Sequence, residues 1–99
     1  MSRIPEIPRK DFTVARHILM ILYYLERENG FSKSGLVRKF SIEYREISVA
    51  IDRAVKLGLV QQSSLGQGYW FTITKNGVEV LRQWKSIEPS LGIERGLIR

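Results

Sequence analysis

Twenty residues near the middle of the chain, Ser41 to Val60, read SIEYREISVAIDRAVKLGLV and leave little freedom in how they fold. Ile47, Ala50, Ile51, Ala54 and Leu57 recur at the i, i+3, i+4, i+7 spacing of one helix face. The opposite face carries Tyr44, Arg45, Ser48, Val49, Asp52, Arg53 and Lys56. Gly58 stops the helix by supplying the left-handed conformation that commonly follows a last turn. Just upstream, Ser32 can cap a second, short helix over Lys33 to Phe40. Leu36, Val37 and Phe40 turn inward from it, and Lys33, Arg38 and Lys39 stay outside. Gly35 weakens that helix by about 1 kcal/mol relative to alanine and allows another backbone to approach at the helix crossing. Ser41 and Ile42 make the turn between the two helices, with Ile42 as an apolar plug.

Downstream, Leu59 to Ser64 reads as a strand, Leu65-Gly66-Gln67-Gly68 as a hairpin tip, and Tyr69 to Thr74 as the returning strand. Alternation places Tyr69, Phe71 and Ile73 on one face and Trp70, Thr72 and Thr74 on the other. Trp70 either stacks on a partner or packs under a neighbouring segment. Thr74 is placed to cap a last helix from Lys75 to Ile87, with Val78, Val80, Leu81, Trp84 and Ile87 available for burial, and Pro89 stops it. The tail retains Leu91, Ile93, Leu97 and Ile98, too much apolar surface for a solvated end.

Upstream, Pro5 and Pro8 favour an extended arm over residues 1–11, carrying Arg3, Arg9 and Lys10. Asp11 or Thr13 can cap a first helix from Phe12 to Glu28. Phe12, Ala15, Ile18, Leu19, Leu22 and Leu25 form its core-facing side. Met20, Ile21, Tyr23 and Tyr24 are apolar as well, so the helix is hydrophobic nearly all round and calls for burial on more than one side. A second copy of the chain is the expected cover; the chain's own terminal arms are the other candidate.

Sixteen Lys and Arg against ten Asp and Glu give a net charge of +6 and a pI near 10.0, a balance that favours a polyanionic partner. The chain has no cysteine, which excludes disulfide scaffolds and thiolate metal sites. Its longest apolar run, Ile18 to Leu25, is far short of the roughly 20 residues needed to span a bilayer. Pro5, Glu6 and Pro8 interrupt the N-terminus before any signal-like stretch begins, so a soluble cytoplasmic protein is expected. His17 is the single histidine and reads as structural, with no cofactor or metal implied. No phosphate-binding loop, nucleophile elbow or paired carboxylates stand out, and an enzyme is not expected. No small-molecule ligand is evident.

The order helix, helix, turn, helix, strand, hairpin tip, strand, helix resembles the winged helix-turn-helix DNA-binding superfamily, as seen in small bacterial and archaeal regulators of the MarR and PadR kind. Three signatures carry the likeness: Ile47 to Ile51 followed by Gly58-Leu59-Val60; Phe71, Ile73, Thr74 and Gly77; and the following helix with Leu81 and Trp84. The dense use of Ile, Leu, Arg and Glu without Cys is similar to archaeal members. The resemblance covers residues 12–87 and implies an α+β fold with a three-helix core, a two-stranded wing and a C-terminal helix. It also implies sequence-selective binding of double-stranded DNA by a homodimer that regulates transcription.

On that reading Ser41 to Val60 holds the recognition helix, since the major groove, about 12 Å wide, admits one helix. Tyr44, Arg45, Ser48 and Val49 are its base-reading candidates: Arg45 for a guanine edge, Ser48 for a base or phosphate, Val49 for a thymine methyl. Lys33, Arg38, Lys39, Arg53 and Lys56 suit backbone phosphates. Residues 32–58 hold six basic and three acidic side chains. Glu43 and Glu46 suit the helix dipole but would repel phosphates. From Gln61 to Trp70 the wing has no Lys or Arg, whereas many family members insert a basic wing residue into the minor groove. Ser64 and Gln67, with Gln61 and Gln62, are left to hydrogen-bond there, and the arm at Arg3, Arg9 and Lys10 gains weight as an anchor. The dimer is expected to use Ile21 and Tyr24 of the first helix, Trp84 of the last, and the tail 88–99. A winged-helix protein-interaction module is the alternative from another class, and binding of RNA or of duplex without base readout is a third.

Overall fold

Two serine/threonine caps set the phase of the fold. The computed structural model describes residues 9–66 and 68–91, with the side chains of 9, 10 and 65 excepted. Ser32 Oγ accepts from Gly35 N–H at 3.1 Å and starts α2, Lys33–Phe40; Thr74 Oγ1 accepts from Gly77 N–H at 3.0 Å and starts α4, Lys75–Ile87. Both helices begin where the capping residues place them. Helix α1 spans Arg9–Arg27 and α3 spans Tyr44–Lys56. Strands β1, Val60–Leu65, and β2, Gly68–Ile73, pair antiparallel with Val60 opposite Ile73 and Leu65 opposite Gly68. A 3-10 turn, Glu88–Leu91, follows α4. This is the α+β winged helix-turn-helix: three helices, a two-stranded wing and a C-terminal helix.

The turn between α2 and α3 is fixed by Ser41, whose left-handed backbone (φ 55°) lets its N–H donate to Val37 O at 2.8 Å. Ile42 plugs the turn, half-buried against the core. At the far end of α3, Gly58 (φ 75°) and Leu59 return hydrogen bonds to Val55 O at 3.0 Å and Ala54 O at 2.9 Å, so the last carbonyls of the helix are satisfied as the chain leaves it. The inner face of α3, Ile47, Ala50, Ile51 and Ala54, is fully buried with Ile21 and Leu22 of α1, Leu36 of α2 and Leu81 of α4, beside Phe71 of β2. Deleting the larger of these side chains to alanine costs about 2–5 kcal/mol each.

One junction holds α3, the wing and α4 together. Thr74 N–H donates to Leu59 O at 3.0 Å, Thr74 Oγ1 donates to Gly58 O at 2.5 Å, and the same oxygen accepts from Gly77. Gly77 lies directly on the Leu59 backbone: a Cβ there would sit 2.2 Å from Leu59 O. The threonine and glycine of the sequence signature are therefore parts of one interlock.

Several expectations are revised. Helix α1 starts at Arg9, so neither Asp11 nor Thr13 is its cap, and Arg9, Lys10 and Asp11 belong to the helix rather than to the arm. Asp11 instead sits in the first turn, where a negative charge suits the helix dipole. The arm residues 1–8 and the tail residues 92–99 lie outside the described residues. Phe12 is 59% exposed and Ala15 is exposed, because the first turns of α1 run past the core. Leu57, the C-cap of α3, turns off the apolar face into solvent, and Val80 and Ile87 of α4 also stay exposed. Gly35 accommodates a ring and not a backbone, since a Cβ there would meet the Phe31 side chain at 1.6 Å. The main revision concerns α1. Its apolar flanks are covered within the chain by α3, α4 and β2, leaving Met20, Ile21 and Tyr23 buried.

Gly77→Ala should destabilise the fold by about 1–3 kcal/mol through overpacking against immovable backbone. Gly68→Ala, where a Cβ meets nothing within 4 Å, should leave stability within about 0.5 kcal/mol. Urea unfolding followed by circular dichroism measures both, and equal midpoints would contradict the interlock.

Candidate nucleic-acid interface

With its inner face buried, α3 has one direction left in which to present side chains. Tyr44 is 55% and Val49 45% exposed, and Arg45, Asp52, Arg53 and Lys56 face solvent with them. Ser48 lies between these and the core, half-buried, and its hydroxyl oxygen accepts from Lys33 Nζ at 2.9 Å. The same ammonium lies 3.4 Å from Asp52 Oδ1 and 5.8 Å from the centre of the Phe71 ring. Lys33 and Ser48, expected to act separately, are thus one linked pair bridging α2 and α3.

The exposed face of α3 is flanked by two depressions. On the α1 side a groove is lined by Val14, His17, Glu43, Arg45, Glu46 and Val49. On the wing side a cleft is lined by Ser32, Lys33, Ser34, Tyr44, Tyr69 and Phe71 among others. Arg45 and Val49 therefore face one flank and Tyr44 the other.

Two of the expected phosphate-binding residues are engaged with α1. Arg53 pairs with Asp11 of α1 at 3.5 Å, an exposed pair of little energetic weight. Lys39 stands 5.6 Å above the Tyr24 ring, which groups it with α1 rather than with α3. Arg38 and Lys56 are exposed. In the wing, Gln61, Gln62 and Ser64 are exposed, whereas Gln67 lies outside the described residues. Trp70 takes the packing alternative: its Nε1 donates to Asn29 O at 3.3 Å and its ring lies 6.3 Å from that of Phe31.

Of the residues expected at a dimer interface, Ile21 is fully buried in its own chain and offers nothing to a second one. Tyr24 packs edge-on to Phe31 and Phe40, with ring centres 5.2 and 5.7 Å away, and Trp84 is half-buried against the core. The tail also begins inside its own chain, because Glu88 is buried and accepts a hydrogen bond from Tyr23 of α1.

Tyr69 was missed as a functional candidate. Strand alternation puts it on the face of Phe71, and only the length of the wing beyond the core leaves it 59% exposed. Phe31 was missed as well. Its backbone pairs with Phe71 in both directions, at 2.9 and 3.0 Å, and anchors the wing to the chain before α2. A single bridging residue has no period to reveal it.

His17 is buried, and burial holds its imidazole below the ordinary value of 6.5, opposed by the charge of Glu46 and reinforced by Arg16. Among the described residues no group of three His, Asp or Glu side chains is placed to hold a metal ion.

Solved structures share this architecture. YusO from Bacillus subtilis matches with a TM-score of 0.72 at 10% identity, covering 83% of this chain and 62% of that one. A MarR transcriptional regulator from Methanosarcina mazei matches with a TM-score of 0.70 at 22% identity, covering 85% and 59%. The oxidized form of MarR from E. coli matches with a TM-score of 0.64 at 14% identity, covering 92% and 86%. The chain spans less than two thirds of the length of the first two. No family model matches the sequence, and a search of curated proteins finds no match. The fold is that of MarR-like winged-helix regulators.

The His17 shift sets a pH dependence. The unfolded chain takes up a proton near pH 6.5 while the folded chain resists it to lower pH, so stability is complete above that value and is lost as pH falls toward the folded pKa. Urea midpoints measured from about pH 7.5 to 5 should fall with acidification, and His17→Gln should flatten that part of the slope. An unchanged slope in the variant would contradict the assignment.

Proposed function

We propose that the chain binds double-stranded DNA selectively, as a homodimer, and regulates transcription. The observation that carries this reading is the division of α3: one face fully buried, the other presenting Tyr44, Arg45 and Val49 to solvent between two flanking depressions. A helix held rigidly on one side and uncovered on the other can enter a major groove with its first turns at the base edges. Arg45 is suited to a guanine edge and Val49 to a thymine methyl. Ser48 Oγ accepts from Lys33, which leaves its O–H to donate to a base or phosphate acceptor. Arg38, Lys56 and Arg53 serve phosphates, and the net charge of +6 favours encounter with a polyanion. The Methanosarcina mazei protein of the same fold is described as a transcriptional regulator. No helix among the described residues is long and apolar enough to cross a membrane. A regulator of this kind works in the cytoplasm, and no residue is assigned a catalytic role.

A dimer is supported by a different set of residues from the one expected. Phe12 is 59%, Ile87 46% and Leu91 60% exposed. Helices α1 and α4 run antiparallel, since Lys85 pairs with Glu26 at 2.7 Å while Glu88 meets Tyr23. Leu91 is therefore carried toward the N-terminal half of α1, where Phe12 stands uncovered. Two copies joined there would place their recognition helices on half-sites about 34–36 Å apart. Light scattering at micromolar concentration should give a dimer mass, and Phe12→Ser with Leu91→Ser should give a monomer. A monomeric wild type would sink the dimer.

Binding to duplexes at several salt concentrations tests the DNA reading. Affinity should fall with salt at a slope near −0.9 per phosphate contact. Arg45→Ala should reduce discrimination by about 1–3 kcal/mol per half-site, whereas Arg38→Ala should weaken all duplexes alike and reduce the salt slope by about two, one for each subunit of the dimer. Absence of binding at low salt would favour the protein-interaction alternative, for which Glu43, Glu46 and the neutral wing are the supporting features.

A further inference from the structure

The wing-side cleft has a volume of about 370 Å³ and is lined by Lys33, Ser34, Tyr44, Gly68, Tyr69 and Phe71, with the cap Ser32 beside them. At ~30 Å³ per water it has room for roughly a dozen solvent molecules, enough for a charged group with part of its attached chain. Tyr44 and Tyr69 are both more than half exposed, and neither hydroxyl has a hydrogen-bond partner among the described residues. Gly68 adds no side chain and leaves open space where a Cβ would stand.

The chemistry of the lining is one-sided. It offers two phenol hydroxyls, two serine hydroxyls and one ammonium, and no carboxylate, whereas the groove on the α1 side is lined by Glu43 and Glu46. Donors without a competing negative charge select an anion, and hydrogen bonds to an ionised acceptor are the stronger kind. Lys33 donates to Ser48 at 2.9 Å and lies 3.4 Å from Asp52, which is 66% exposed, so its ammonium is partly offset but keeps a donor position for an anion in the cleft.

Position narrows the anion. If α3 occupies a major groove, the sugar-phosphate strand bordering that groove must pass beside its first turn, and the wing stands on that side. We propose that the cleft seats a phosphodiester of that strand, with the Tyr44 and Tyr69 hydroxyls donating to its non-bridging oxygens and Lys33 supplying positive charge. The inference rests on the DNA-binding reading above. It moves Tyr44 from base reading to backbone positioning, and it gives the cation-free wing a contact through Tyr69. Because α2, α3 and β2 each contribute to the cleft, one phosphate would register the wing against the recognition helix.

The test is duplex binding by the wild type, Tyr44→Phe and Tyr69→Phe, variants that keep the rings and remove only the hydroxyls. Each should weaken binding to all duplexes by about tenfold or more, the effect of one hydrogen bond to a charged acceptor lost from each subunit. The salt slope should not change, because no cation is removed. A scan of single neutral methylphosphonates along the duplex should locate one position in each half-site where the wild type loses affinity and Tyr69→Phe loses less. If the wild type binds duplex and both Phe variants bind as well as it does, the cleft assignment is overturned and the DNA reading survives. If the wild type binds no duplex at any salt, the DNA reading fails and the cleft assignment falls with it.

Discussion

The structure depends most on the close approach of Gly77 to the Leu59 carbonyl. This contact lets α4 begin directly beneath the end of α3, and it brings Thr74 within reach of Gly58 and Leu59. Around this contact the end of α3 is tied off by the Gly58 and Leu59 N–H groups, and α4 runs back along α1. Any larger side chain at residue 77 must displace the Leu59 backbone, which is itself held by hydrogen bonds to Ala54 O and from Thr74 N–H. Helix α3 is held in place by this junction as well as by its buried face. Rigidity matters to the proposed function, because a helix that rocks on its support cannot hold a bidentate side chain against a base edge.

Much of this frame was legible in the sequence. Ser32 and Thr74 marked the starts of α2 and α4, Gly58 marked the end of α3, and the periodic Ile47, Ala50, Ile51 and Ala54 marked its buried face. These signals are local: a cap, a left-handed residue and a period each report on a few neighbouring positions. What the sequence hid is tertiary. The all-round apolarity of α1 invited a second chain as its cover, yet α3, α4 and β2 provide three walls around it, a consequence of topology that no property of α1 itself reveals. Ile21 was read as an interface residue for that reason and is fully buried. Phe31 pairs with Phe71 through a single bridge, and Gly35 is small because that ring lies over it.

The functional surface was legible by residue type and less so by arrangement. Tyr44, Arg45 and Val49 are exposed on α3 as expected, but the basic side chains around them are partly occupied. Lys33 is shared with Ser48 and Asp52, Arg53 with Asp11, and Lys39 with the Tyr24 ring. Counting cations along the chain overstates the field they produce, since each exposed pair reduces it at little gain in stability. The neutral wing, a departure from the family pattern when read as sequence, acquires a candidate contact once Tyr69 and Tyr44 are seen to share a cleft lined without carboxylates.

Selection of bound duplexes from a random library measures partner class, symmetry and spacing in one experiment. A dimer reading two half-sites should enrich an inverted repeat whose half-site centres lie about 10–10.5 base pairs apart, or a multiple of that spacing. Recovery of sequences no different from the input library would contradict it.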